Sequence, residues 1–184
     1  MTIETTEGSP VMEAALALLQ SGLGFPCRPG SSAREFMHEA LGLDDAYIEG
    51  VISTIFIDSE PVDDIDAARV GDGSVLALSA AMPGLVGAVM RRNSPYASFR
   101  KGISYDNLHM SEAPSSAAAV DNEGITRVKF FNQVMRDLGA GLFSRGVYLA
   151  AAEARGLAEL AGVTPPTGEK PVFLRVVFKE AGSP

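Results

Sequence analysis

The stretch from Val51 to Arg92, VISTIFIDSEPVDDIDAARVGDGSVLALSAAMPGLVGAVMRR, constrains the fold of this chain more than any other. Val51–Ile57 is rich in β-branched residues and apolar on both faces, the pattern of a strand buried inside a sheet. An acidic segment follows. Gly71-Asp72-Gly73 then supplies a turn into a second run, Ser74–Ala80, again apolar on both faces. Pro83-Gly84 breaks that run, and small apolar residues lead to Arg91-Arg92. Two neighbouring strands with a capped helix before them are therefore expected.

That helix carries its own start signal. Ser32 and Glu35 stand in the S-x-x-E spacing of a capping box, Ala33, Phe36, Met37, Ala40 and Leu41 form its apolar stripe, and Gly42 supplies the stop. An earlier helix begins at Ser9-Pro10, with Val11, Ala14, Ala15, Leu18 and Leu19 on one face. Gly22–Gly30 holds three glycines and two prolines and reads as a loop enclosing Cys27. Further on, Tyr96–Tyr105 reads as irregular with a short strand around Phe99 and Ile103. His109–Gly124 is rich in Ser and Ala, has no apolar period and reads as a linker. The pattern resumes with a strand at Ile125–Phe131 and a short helix from Asn132 to Leu138, broken by Gly139, Gly141 and Gly146. A helix at Ala150–Ala161 and a last strand at Val172–Lys179 follow, with Val172, Leu174, Val176 and Phe178 facing inward. Interleaved strands and helices argue an α+β protein.

Charge and composition exclude several functions. The net charge of -8 is the wrong sign for a polyanion partner, so no nucleic acid is expected. One Cys and two His, none within four residues of another, do not make a zinc site, and no metal or cofactor is expected. The opening MTIETTEGSP lacks a basic segment of the secretory kind, and a lone Cys permits no internal disulfide; both favour the cytoplasm. Gly73–Met90 runs 18 residues without a charge, near the lower limit of a membrane span, but Pro83-Gly84 interrupts it. It is read instead as a buried strand, a turn and a short buried helix or strand, with no membrane involved.

From Gly30 to Ala80 the order is glycine, capped helix GSSAREFMHEALGL, strand VISTIFID, turn segment SEPVDDIDAARVGDG and strand SVLALS. This resembles the β-grasp sulfur-carrier families, the small subunit of molybdopterin synthase and the thiamine sulfur carrier. Asp58-Ser59-Glu60-Pro61-Val62 is similar to their asparagine-glycine-plus-valine turn, and Gly71-Asp72-Gly73-Ser74 to the turn before their final strand. The resemblance implies a β-grasp-like core of helices on a mixed sheet. Residues 1–108 would form that lobe with an extra N-terminal helix, 109–124 a linker or mobile loop, and 125–184 a C-terminal αβ extension, separate or completing the same sheet. Sulfur-carrier chemistry is not expected. Those carriers end in Gly-Gly, whereas the matching strand here runs into Met82-Pro83-Gly84-Leu85-Val86-Gly87 and the sequence closes on Glu180-Ala181-Gly182-Ser183-Pro184.

Candidate site residues fall in two charge clusters. Asp58, Glu60, Asp63, Asp64 and Asp66 place five carboxylates in nine residues, without EF-hand order, and read as a solvated acidic face. Arg91, Arg92, Arg100 and Lys101 form a basic island, because Gly73–Tyr105 contains no acidic residue. With Gly84 and Gly87 just upstream, the island could hold a small anionic ligand or an acidic partner protein, or could pair with the chain's own carboxylates. Cys27 has no resolving thiol. His38 does not belong to an HExxH motif, His109 lies in the linker, Ser94 and Tyr105 have no paired group for acid–base chemistry, and the seven Met are spaced as core filler. Two functions remain open: a non-catalytic interaction or assembly protein, and an enzyme or binding protein for a small anionic metabolite. Oligomeric state is not legible.

Overall fold

The computed structural model describes residues 1–6, 8–100, 102–105 and 123–179. Lys101, His109 and the linker expected at 109–124, apart from its last two residues, lie outside them. In chain order the elements are β1 (Thr2–Thr6), α1 (Pro10–Ser21), β2 (Leu23–Cys27), β3 (Ser31–Ser32), α2 (Ala33–Glu39), α3 (Asp45–Gly50), β4 (Thr54–Ile57), β5 (Glu60–Pro61), β6 (Arg69–Val70), β7 (Val75–Ser79), α4 (Gly84–Met90), a 3-10 turn (Ala97–Arg100), β8 (Gly124–Phe131), α5 (Asn132–Arg145), β9 (Val147–Leu149), α6 (Ala151–Leu160) and β10 (Val172–Lys179). The fold is α+β.

Eight strands form one mixed sheet in the order β1-β10-β9-β2-β8-β7-β4-β5, and β3 pairs with β6 beside it. β1 runs parallel to β10 and β7 parallel to β8, while the other pairs of the large sheet are antiparallel. As expected, β4 and β7 are neighbours, registered Thr54 to Ser79 and Phe56 to Ala77. β8 lies between β2 and β7, so a strand from the C-terminal third occupies the middle of the sheet. Its sequence alternates in keeping with that place: Thr126, Val128 and Phe130 are buried and Arg127 is exposed. One contiguous core joins Phe36, Met37 and Ile48 of the early helices, Ile55, Ile57, Leu76 and Leu78 of the sheet, and Leu142, Phe143 and Leu157 of the late helices. No helix among the described residues is long and apolar enough to cross a membrane.

The local signals held where side chains fix the backbone. The Ser9 side chain accepts from Met12 N at the start of α1, and the reciprocal Ser32–Glu35 capping box opens α2. Several expectations need correction. Gly22–Gly30 is not all loop: Leu23, Phe25 and Cys27 alternate inward along β2, which β9 pairs only at Gly24. Pro26 lies past that point, on a flank where a missing N–H is tolerated. Asp45–Gly50 is a helix, begun by Asp44, whose carboxylate accepts from Tyr47 N at 2.8 Å. β4 starts at Thr54 and not Val51, and lies next to the sheet edge, flanked only by the two residues of β5. Tyr96–Tyr105 holds a 3-10 turn and no strand. α5 continues through Gly139 to Arg145, and α1 packs against that glycine: a Cβ there would sit 2.7 Å from Leu19 Cδ1. β1 and β9 have no counterpart in the sequence reading.

Candidate functional site

Among the described residues one ion pair, Asp63–Arg100, joins the acidic run to the basic island, and most of the other carboxylates of the run bond elsewhere within the chain. Asp63 Oδ1 accepts from Arg100 Nη2 at 2.6 Å and from Asn93 N at 3.1 Å. Asp66 receives Arg34 Nε at 2.6 Å, while the same guanidinium donates to Asp45 and Glu49. Arg34 hydrogen bonds hold the Asp66, Glu49 and Asp45 carboxyls below the usual range. Asp64 Oδ1 accepts from Asp66 N and Ala67 N and caps a local turn, and Asp58 Oδ1 accepts from Val75 N at 2.7 Å. The carboxylates are thus structural as well as acidic. Among the described residues no group of three or more His, Cys, Asp or Glu is placed to hold a metal.

Two of the island's arginines point inward. Arg92 is buried and donates through Nη2 to Glu49 Oε2 at 3.0 Å and to the carbonyls of Ile48 and Ile52 at 3.3 Å. These carbonyls lie at the end of α3. Arg100 is 2% exposed and donates from Nε to Val89 O at 2.8 Å, from Nη2 to Arg91 O at 3.3 Å and from Nη1 to Ser104 Oγ at 2.8 Å. It therefore closes the end of α4. Neither helix has a basic residue in its own last turn, so both cations arrive from a distance to satisfy orphan carbonyls. The expected four-cation surface does not form from Arg92 and Arg100. Arg91 is exposed.

The two glycines also have structural duties. Gly84 opens α4 at φ 79, a left-handed conformation suited to glycine. Gly87 is the buried residue of α4, and a Cβ there would lie 2.1 Å from the carbonyl oxygen of Met82. It lets α4 sit on the chain that enters it. Gly87→Ala should push the helix off this seat and destabilise the protein by about 2 kcal/mol, read by urea denaturation. An unchanged midpoint would show that α4 has another way to pack.

What this scaffold presents is apolar. α4 packs against the 3-10 turn, and the two expose Leu85 (73%), Val86 (69%) and Phe99 (78%), with Tyr96 and Ile103 beside them in sequence and also exposed. Tyr96 and Phe99 stack with ring centroids 6.4 Å apart and an interplanar angle of 20°. The expectation that Gly73–Met90 ends in a buried helix is thereby corrected: β7 is largely buried, while α4 turns Leu85 and Val86 outward. Sequence reading missed these residues because an apolar helix is ordinarily taken as core; the uncharged run beside unpaired aromatics was the available signal. Cys27, in contrast, is buried in β2, where desolvation pushes its thiol pKa up and keeps it protonated. Comparison of the chain with protein-family models, curated proteins and solved structures finds no match.

Proposed function

We propose that this chain is a non-catalytic interaction protein that works in the cytoplasm and docks a partner on the platform formed by α4 and the 3-10 turn. The observation that carries this reading is the exposure of Leu85, Val86, Tyr96, Phe99 and Ile103 on a short segment anchored by buried Arg92 and Arg100. Scattered apolar residues are ordinary on a surface, whereas a clustered set marks a contact site. Stacked aromatic side chains lose little entropy on binding and serve as anchors. Arg91 and the absence of acidic residues from Gly73 to Tyr105 give the platform a positive rim in an otherwise acidic chain. The fitting partner is an acidic, apolar protein segment. Two copies meeting platform to platform would set like charges together.

The core is read as β-grasp-like. α2, β4 and β7 follow the order of the carriers, and Asp58 (φ 50) and Ser59 (φ 77) make the left-handed two-residue turn between β4 and β5 that an asparagine-glycine pair would favour. β2 and β8 pair antiparallel, as an opening hairpin would, although β8 comes from late in the chain. The small-anion alternative has less support, since Arg92 and Arg100 are committed internally.

Leu85→Glu with Phe99→Glu tests the reading. Both side chains are exposed, so the melting temperature should stay the same. Binding of a fluorescent helical peptide with Leu and Phe on one face and Glu on the other should weaken by about 2 kcal/mol or more. Absence of saturable binding to the unaltered protein, or equal binding by the double variant, overturns the proposal. A concentration-dependent dimer abolished by the same substitutions would reassign the platform to self-association.

A further inference from the structure

A second feature lies at the carboxyl ends of β7 and β8, independent of the docking platform. These two parallel strands finish in register, Ser79 opposite Phe131. After β7 the chain leads to α4, which packs on the 3-10 turn, and after β8 it passes directly into α5, which packs on α1, β10 and β7. At this end of the two strands lies a half-open cavity of about 220 Å³ lined by Phe56, Ala77, Ser79, Met82, Phe131 and Asn132. Phe56, Ala77, Ser79 and Phe131 project from the sheet face opposite Leu76, Leu78 and Phe130, as the strand registers require.

We propose that this cavity binds a compact aromatic molecule carrying a single N–H or O–H group, of the phenol or indole type. Size sets the first limit. An enclosed apolar cavity of roughly 150 Å³ takes up benzene, and pockets for drug-sized ligands run from roughly 300 to 1,000 Å³. A volume between these admits one ring or two fused rings. The walls set the second limit: two phenylalanine rings and the Met82 thioether make favourable contacts with another ring. Among the described residues no cationic side chain lines the cavity, and Lys129, opposite Ala77 on the same sheet face, stands outside its lining.

The polar corner sets the third limit. Asn132 Nδ2 donates to Ser79 Oγ at 3.0 Å, and Ser79 Oγ donates to Ala80 O at 3.0 Å. That chain spends the serine proton on the backbone and orients the amide. Asn132 is exposed and its Oδ1 makes no hydrogen bond among the described residues, so at the rim of the cavity it is an acceptor that one ligand donor can take in place of water. Asn132 is also held at φ 54, a left-handed conformation that asparagine tolerates better than most residues.

Methyl NMR of the full chain, following Met82 and Ala77 during titration with phenol, indole and toluene, tests the assignment. Phenol and indole should give saturable shifts at both methyls. Toluene should bind about three- to tenfold more weakly, the ratio one hydrogen bond supports. Ala77→Leu fills the cavity and should abolish binding of phenol and toluene alike. Asn132→Gly accepts the positive φ without a side chain and should bring phenol down to the level of toluene with the melting temperature retained. Should Ala77→Leu fail to fold, the glycine variant decides alone. Unsaturable shifts with phenol, equal affinity for phenol and toluene in the unaltered protein, or phenol binding unaffected by Asn132→Gly would each overturn the proposal.

Discussion

Phe130→Ala should cost about 4 kcal/mol of stability and lower the melting temperature by roughly 8–16 °C. Phe130 is fully buried and meets Phe25 edge to face, with centroids 6.1 Å apart at 76°. Truncation removes both the apolar contact and the aromatic pair, and a central strand flanked by paired neighbours has little freedom to collapse into the void. The position of β8 makes the consequence global. It pairs with β2 on one flank and β7 on the other, so one cavity borders elements from the first, middle and last thirds of the chain. Amide hydrogen exchange should accelerate in β2 and β7 together as global unfolding becomes more frequent. Acceleration confined to residues 123–179, with β4 and β7 still protected, would show that the C-terminal segment unfolds by itself and that the sheet does not act as one cooperative unit.

The elements legible in the sequence are those whose signals are local. The serine–glutamate box of α2, the Ser9-Pro10 start of α1, the β-branched content of β4 and the alternation of β10 each report on contacts within a few residues or on one face of an element. β2, β9 and β1 were hidden because pairing with partners far away in sequence makes them strands. β2 has glycine and proline inside it, β9 has three residues, and β1 is largely Thr and Glu laid against β10. The site divides the same way. Charge clusters can be counted along a chain, but Asp63 finds Arg100 across 37 positions and Glu49 finds Arg92 across 43. Composition could say that self-pairing was one outcome, and only the fold could choose it. The exposed face of α4 was the least legible feature, since a leucine in an uncharged helix looks the same in sequence whether it points in or out.

Arg100→Leu should destabilise the chain by about 3 kcal/mol, at the low end of the cost of breaking a buried ion pair. The low end applies because the Asp63 side chain is 39% exposed and water can hydrate part of its charge once the guanidinium is gone, whereas the Arg100 side chain is 1% exposed. The leucine also abandons the carbonyls of Val89 and Arg91 and the hydroxyl of Ser104. Arg100→Lys should recover only part of the loss, since one ammonium with three protons cannot reach four acceptors that a planar fork spans. Asp63→Asn should cost at least as much, about 3–5 kcal/mol, because it leaves the buried guanidinium without a counter-charge even though a carboxamide oxygen can still accept from Arg100 and Asn93. Urea denaturation measures all three. Hydrogen exchange locates the damage, which should centre on α4 and the 3-10 turn because Arg100 joins them. Salt then separates scaffold from contact surface. The buried pair should hold nearly constant from 0.1 to 1 M salt, while any partner attraction through exposed Arg91 should fade as the Debye length falls from about 10 to 3 Å. Arg100→Leu should therefore abolish docking at every salt concentration, and Arg91→Ala should weaken it only where salt is low. Intact docking by Arg100→Leu would show that the platform keeps its shape without this arginine.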